Sequence, residues 1–180
     1  EKTKIISPTE YDFLNLLSLS DDASVQVCDV RDDCDLTGKG YGVVNIHPGQ
    51  IQQHLLDLPK KASALGEKIL YSSKGPSEDV YWLSRDFLHQ VMHSYLKETC
   101  GSVYLGMVDH RRQQPDYPIR TFSMHQNRHG PSVWLRIGGP LGTTDVDLCF
   151  CIMKTKESVM VPRCPGGESI YNPYWTESIL

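Results

Sequence analysis

The sequence predicts an α+β fold, in which a twisted mixed β-sheet has helices packed on one of its sides. Three observations support this prediction. A β-prone run covers residues 3–19, two further strands cover residues 133–137 and 146–153, and apolar residues recur at helical spacing over residues 78–99. We expect the sheet to present acidic side chains on one side and to pack against the long helix on the other.

Length and composition are those of an ordinary globular domain. The chain has 180 residues, of which 39% are apolar and 22% charged, and its net charge is −4. This charge excludes a surface that is basic in bulk, as a nucleic-acid-binding platform would be. No apolar run approaches the roughly 18 residues of a membrane-spanning helix. Six cysteines are too sparse for a disulfide scaffold, which favours a reducing, cytoplasmic setting.

The first predicted strand carries two carboxylates in an otherwise apolar setting. Glu10 and Asp12 are two residues apart, so in a strand their side chains point to the same face, roughly 6–7 Å apart. Tyr11 and Phe13 point the other way, toward a core. Like charges in a half-buried strand repel each other unless a cation lies between them. The pair therefore predicts a hard divalent cation such as Mg²⁺, although the pattern alone also fits a solvated strand edge.

Short elements follow the first strand. Residues 24–30 and 41–47 are predicted strands of an antiparallel meander, because they are rich in valine and are bounded by aspartate, glycine and proline. Residues 51–58 predict a short helix that ends at Pro59, since proline cannot donate the hydrogen bond that a helix interior needs.

The helix predicted over residues 78–99 begins after Ser77, which is a good N-cap residue. Its apolar positions form one face and its basic positions form another. The basic positions are Arg85, His89, His93 and Lys97. We interpret them as a solvated stripe rather than a metal site, because no acidic or cysteine partner for the two histidines is identifiable.

The segment from residue 102 to residue 130 is the most basic part of the chain. Its basic residues include Arg111, Arg112, Arg120, Arg128 and His129. The segment would either touch phosphates or form a variable insertion, so no nucleic-acid-binding residue is assigned.

A third carboxylate lies far along the chain. Residues 133–137 and 146–153 are predicted strands joined by a turn, and Asp147 lies near the start of the second strand. It shares a face with Cys149 and Cys151, because side chains alternate along a strand. Two acids on one strand and a third on a neighbouring strand form the arrangement of a two-metal phosphoryl-transfer site.

Two runs of residues carry a resemblance to a known family. The first is Ile5-Ile6-Ser7-Pro8-Thr9-Glu10-Tyr11-Asp12, which an apolar strand follows. The second is Gly130-Pro131-Ser132-Val133-Trp134-Leu135-Arg136-Ile137, continued by Asp145-Val146-Asp147-Leu148. Both runs resemble the catalytic strands of the cyclic GMP-AMP synthase-like and Mab-21 family of nucleotidyltransferases. The predicted long helix also lies where that family has one.

The resemblance implies a nucleotidyltransferase-fold core and an enzyme. Glu10, Asp12 and Asp147 would be catalytic residues and ligands of two Mg²⁺ or Mn²⁺ ions, and Cys149 would lie near the nucleotide base. The expected reaction joins ATP and GTP into a cyclic dinucleotide in the cytoplasm. Double-stranded RNA or DNA would activate it in innate immune signalling, and the activating ligand would induce a dimer.

The chain also departs from the family pattern. The Gly-Ser turn that precedes the first acid, and the C-terminal helical lobe, are absent from residues 1–180, so we expect a single, partial domain of a longer protein. Cys149 stands where the synthase has a threonine, and a thiol hydrogen-bonds poorly. One alternative is a catalytically silent Mab-21-type protein that acts in interactions or development. Another is a transferase that makes linear oligonucleotides or modifies a different acceptor.

Overall fold

A computed structural model of the chain describes residues 2–7, 10–30, 35–61, 69–72, 79–110, 117–162 and 173–180. These residues form two α-helices, α1 (Gln50–Lys61) and α2 (Phe87–Thr99). They also form twelve strands: β1 (Lys2–Ser7), β2 (Glu10–Leu16), β3 (Val25–Asp29), β4 (Tyr41–Ile46), β5 (Leu70–Ser72), β6 (Tyr81–Leu83), β7 (Tyr104–Val108), β8 (Phe122–His125), β9 (Val133–Gly139), β10 (Gly142–Met153), β11 (Ser158–Val161) and β12 (Tyr174–Ile179).

The predicted α+β fold class is wrong. Strands dominate the described residues, and the two helices are only 12 and 13 residues long. A nucleotidyltransferase core with helices packed along one side of its sheet is therefore not what the chain forms. Part of the segment that spacing predicts as the long helix is instead a strand.

That segment is the N-terminal part of the predicted helix 78–99. The structure places Tyr81–Leu83 in β6, which pairs antiparallel with β4 and with β5, and α2 begins only at Phe87. Aromatic residues favour strands, and the backbone of this segment pairs with β4 and β5. This pairing overrides the helix that the spacing of apolar residues predicts. The predicted N-cap Ser77 lies outside the described residues.

The single strand predicted over residues 3–19 is also wrong. The chain forms two strands there, and β1 pairs antiparallel with β2, with Lys4 opposite Asp12 and Ile5 opposite Tyr11. Pro8 lies between the two strands, outside the described residues, and a proline lacks the N–H that an uninterrupted central strand would use. Glu10 and Asp12 nevertheless lie on one strand, as predicted.

Several shorter predictions are confirmed. The strands predicted at 24–30, 41–47, 133–137 and 146–153 appear as β3, β4, β9 and β10. The helix predicted at 51–58 is present, but α1 continues past Pro59 to Lys61. In each confirmed element, the spacing of apolar residues within the segment is itself enough to indicate a strand or a helix.

The chain divides into two compact units, which are described separately. The first unit comprises Glu1–Asn15 and Leu88–Phe150. Its strands are ordered β1–β2–β10–β9–β8–β7, and all the neighbours whose pairing register is known are antiparallel except β7 and β8, which are parallel. The second unit comprises Leu16–Phe87 and Cys151–Leu180, and its strand order is β5–β6–β4–β12–β11, with β3 also paired antiparallel to β4.

One face of the first unit's sheet is apolar. A buried cluster on this face consists of Tyr104, Met124, Val133 and Leu135. Met92 and Leu96 of α2 pack against it, as do Val146, Leu148 and Phe150 of β10. Since side chains alternate along a strand, the residues between these positions on β8, β9 and β10 point to the opposite face. That opposite face carries the candidate site.

The second unit has its own buried core. Val44, Ile46 and Leu83 are fully buried there, and so is Trp175 of β12, whose indole N–H donates a hydrogen bond to the carbonyl oxygen of Leu83 at 3.1 Å. Burying the large indole with its polar N–H satisfied avoids the cost of an unpaired donor. In the described ranges, neither helix is long and apolar enough to cross a lipid bilayer.

Gly138 on β9 yields a prediction about packing. A Cβ at this position would meet the carbonyl oxygen of Pro118 and lie 2.7 Å from that of Tyr117. Both obstacles are backbone atoms, so Gly138→Ala should lower the free energy of unfolding by about 1–3 kcal/mol in urea titrations. Gly49→Ala is the control, because its Cβ would come no closer than 3.4 Å to Ser24. Equal unfolding midpoints for the two variants would contradict the prediction.

Candidate metal centre

The polar face of the first unit is built by the β9–β10 hairpin. Strand register places Trp134 of β9 opposite Asp147 of β10, and Arg136 opposite Asp145. These four residues are on the face opposite to the apolar cluster, because Val133, Leu135, Val146 and Leu148 occupy the alternating positions. A two-residue turn at 140–141 joins the strands and so sets this register.

The two acids of the first strand lie beside this hairpin. Strand β2 pairs with β10, and it carries Glu10 and Asp12, both of which are half-buried. Their negative charges act on the Asp147 carboxyl and raise its pKa. The structure thus brings Asp147 near Glu10 and Asp12, although more than a hundred residues separate it from them along the chain.

Three ligand atoms converge at the centre of this cluster. One atom each from Glu10, His129 and Asp147 lies within 4.8 Å of the other two. Asp147 is buried, with 6% of its surface exposed, whereas the His129 side chain is about half exposed. Asp12 is close enough to influence Asp147 but is not part of this group of three. We call the three residues the Glu–His–Asp cluster.

Asp147 is the electrostatic focus of the cluster. Burial raises the pKa of its carboxyl, the hydrogen bond and charge of His129 lower it, and the charges of Asp12 and Glu10 raise it again. Its Oδ2 accepts a hydrogen bond from His129 Nδ1 at 2.7 Å. Its Oδ1 is buried and has no hydrogen-bond partner among the described residues. A buried acceptor without a partner, next to further carboxylates, is an arrangement that a bound cation would stabilise.

Asp145, a neighbouring acid, has hydrogen-bond partners for both of its carboxylate oxygens. Its two carboxylate oxygens accept hydrogen bonds from Nε and Nη2 of Arg136, each at 2.7 Å. A paired fork of this kind neutralises the charge and occupies both oxygens. Asp145 and Asp147 are two residues apart on one strand, and of the two only Asp147 joins the Glu–His–Asp cluster.

A layer of aromatic and imidazole rings packs against the Glu–His–Asp cluster. The Trp134 ring stacks on His125 at 4.6 Å between centroids, meets His110 edge-on at 5.0 Å and lies 5.4 Å from His129. The guanidinium of Arg136 lies 5.6 Å from the same indole. These contacts restrict the rotation of Trp134 and of the imidazoles around it. The position of His129 is therefore set by packing as well as by its hydrogen bond to Asp147.

His110 and His125 are buried members of this layer. His110 Nε2 lies 2.7 Å from the Ser123 hydroxyl, and burial lowers the pKa of His110 to about 4, with the charges of Arg136 and His125 acting in the same direction. His125 Nδ1 accepts a hydrogen bond from the backbone N–H of Asn127 at 3.0 Å. These bonds orient the two rings as structural parts of the polar face.

His129 is a part of the site that the sequence does not predict. The sequence indicates only a basic loop here, whereas the structure places His129 next to Asp147, 18 residues further along the chain. His129 precedes the turn that leads into β9, and its backbone N–H and carbonyl both bond to Ser132. No periodic pattern connects a turn residue to a residue of the following strand pair. The contact is visible only in the folded chain.

Two other predictions about functional residues have different outcomes. Cys149 is half-buried on β10, two residues after Asp147, and lies outside the Glu–His–Asp cluster. The predicted solvated stripe is wrong, because His89 Nε2 lies 3.0 Å from the carbonyl oxygen of His125 and His93 Nδ1 lies 2.9 Å from the Tyr104 hydroxyl. Arg85 is also buried, with 5% of its surface exposed.

Similarity to known proteins does not extend this description. No protein-family model matches the chain, and no curated protein matches it either.

Proposed function

We propose that the protein is a metal-dependent nucleotidyltransferase that joins ATP and GTP into a cyclic dinucleotide. Glu10, Asp12 and Asp147 are its catalytic acids and the ligands of two divalent ions, Mg²⁺ or Mn²⁺. The proposal does not rest on the fold class. It rests on the convergence of these carboxylates and on the resemblance of the two runs that contain them to the cyclic GMP-AMP synthase-like and Mab-21 family.

One observation supports the proposal above the others. Asp147 is nine-tenths buried, faces the charges of two further carboxylates, and keeps one oxygen without a partner among the described residues. Maintaining such a group costs stability, since burial penalises the charged form. Proteins tolerate this cost mainly where the group has a task. Binding a divalent cation is the task that suits carboxylate oxygens.

The ions would neutralise the triphosphate and activate the attacking hydroxyl group, which is the chemistry of two-metal phosphoryl transfer. The chain's own residues then have distinct roles. Glu10 and Asp12 present their carboxylates from β2, and Asp147 presents its carboxylate from β10. Arg136 satisfies Asp145 and so keeps that acid out of the site.

The substrates, activator and setting follow from the resemblance. ATP and GTP are the substrates, and Cys149 contributes to the pocket for a base. Double-stranded RNA or DNA is the activator, and it assembles two copies of the protein into a dimer. The protein acts in the cytoplasm, in innate immune signalling. The net charge of −4 means that a contact with nucleic acid would use a local basic patch.

The test is a product assay with the full-length protein. The protein is incubated with labelled ATP and GTP, with Mg²⁺ or Mn²⁺, and with double-stranded RNA, double-stranded DNA or neither. We expect a cyclic dinucleotide that depends on the metal, and whose yield rises with one of the two nucleic acids. Glu10→Gln should abolish the product, and Glu157→Gln, an exposed acid of the second unit, should not.

Two results would change this conclusion. A linear product that depends on the same acids would identify a transferase of a different type. The absence of any product and of nucleotide binding under every condition would favour a catalytically silent interaction protein of the Mab-21 type.

A further inference from the structure

The His129 imidazole is placed as a metal ligand would be. Its Nδ1 donates a hydrogen bond to Asp147 Oδ2 at 2.7 Å. One potential ligand atom each of Glu10, His129 and Asp147 lies within 4.8 Å of the other two. An octahedral ion with bonds of about 2.1 Å has neighbouring ligands about 3 Å apart and opposite ligands about 4.2 Å apart. The observed spacing therefore suits a common ion after small side-chain adjustments.

The position of His129 is restrained before any ion binds. Its backbone N–H donates to the Ser132 carbonyl oxygen and its own carbonyl accepts from the Ser132 N–H, both at 3.0 Å, around a turn in which Gly130 has a φ of +59°. The ring also packs against Trp134. A ligand that is held in place loses little conformational entropy on binding.

The other imidazoles of the polar face are engaged differently. His110 Nε2 bonds to Ser123, and His125 lies under Trp134 with its Nδ1 bonded to Asn127. Both are buried, whereas about half of the His129 side chain is exposed. Of the described histidines, only His129 belongs to a group of three potential ligand atoms.

We propose that His129 is a ligand, through Nδ1, of the ion held by Glu10 and Asp147, and that this nitrogen makes the ion a divalent transition metal rather than Mg²⁺. The ion replaces the proton that Nδ1 donates to Asp147, and that proton is released to solvent. The inference rests on the proposed function. It adds a preference between Mg²⁺ and Mn²⁺, both of which the carboxylates alone would bind. Carboxylates and water suit Mg²⁺, whereas an imidazole nitrogen shifts preference toward transition metals. Mn²⁺ combines an affinity for carboxylates with acceptance of imidazole, so it is the ion to use as a probe.

The nitrogen ligand is measurable without any assay of activity. Continuous-wave EPR of the full-length protein gives the Kd for Mn²⁺, competition gives the Kd for Mg²⁺, and pulsed EPR detects nuclear modulation from a coordinated nitrogen. We expect wild-type protein to show this modulation. His129→Gln should remove it, raise the Kd for Mn²⁺ by about 10-fold or more, and change the Kd for Mg²⁺ by less than about 3-fold.

Two further variants separate the inference from the proposed function. His54→Gln replaces an exposed histidine of the second unit and should change neither affinity nor modulation. Glu10→Gln should weaken the binding of both ions. If Glu10→Gln does so while His129→Gln leaves the modulation and the preference between ions unchanged, the histidine only pairs with Asp147. The inference then fails and the metal site stands. If wild-type protein binds neither ion, both fail.

Discussion

Replacing Asp147 by asparagine should lower the rate of product formation by at least about 100-fold, because several kcal/mol of transition-state stabilisation by metal would be lost. The same change should leave the free energy of unfolding unchanged or higher. Burial raises the pKa of Asp147 above its usual value, so the folded state binds its proton more tightly than the unfolded state does. Stability therefore falls as the pH rises through that pKa, and the charged carboxylate is a cost at neutral pH. Asparagine carries no such charge.

The acid two residues earlier provides a matched comparison. Asp145→Asn removes one partner of a bidentate bond to Arg136, whose side chain is 18% exposed. This variant should lose about 1–3 kcal/mol of stability because a largely buried guanidinium is left poorly paired. It should retain most of the metal binding. Urea unfolding and Mn²⁺ titration on both variants check the contrast. A large loss of stability in Asp147→Asn with intact metal binding would show that this acid is structural.

The acids could be found from sequence because their signals are local. Glu10 and Asp12 interrupt an apolar, β-prone run, and Asp147 interrupts another. Strand alternation then fixes which side chains share a face. These inferences survive the error in fold class, since they need only that each short segment is a strand. The pairing of β2 with β10 is a long-range contact that no local pattern fixes. The two-metal arrangement of three acids on neighbouring strands predicts that the acids meet, and the resemblance to a known family implies the same.

The errors arose where distant partners decide the structure. Tyr81–Leu83 fits a helical pattern by spacing, but β4 and β5 make it a strand. Helical spacing predicts an exposed stripe that includes His89 and His93, but they bond to His125 and Tyr104 on neighbouring strands. Tertiary contacts override local preference in each case. The role of His129 could not be predicted for the same reason, because it depends on a contact with Asp147, 18 residues further along the chain.

Acid should destabilise the protein through His110. Its ring is buried with Nε2 next to the Ser123 hydroxyl, and Nδ1 has no partner among the described residues. Burial lowers the pKa of His110 from its usual 6.5 to about 4, and the positive charge of Arg136 contributes. The folded state therefore holds this ring neutral over a range in which the unfolded state protonates it.

This difference sets the direction of the pH effect. Between pH 6.5 and about 4 the unfolded state binds more protons, so the stability that His110 confers at neutral pH is lost as the pH falls through that window. A shift of this size corresponds to about 3 kcal/mol at most. Below the folded-state pKa the ring is charged in both states, so its contribution to the slope ends.

Urea unfolding across this pH range measures the effect by comparison between variants. Wild-type protein should lose more stability on acidification than His110→Gln, and the difference should approach about 3 kcal/mol near pH 4. His54→Gln, which removes an exposed histidine of α1, should follow the wild-type curve. The comparison cancels the titration of the carboxylates, because all three proteins share them. Parallel curves for wild type and His110→Gln would mean that the folded protein accommodates the imidazolium, by water or by movement of the Ser123 hydroxyl, and that the polar face is less rigid than its packing indicates.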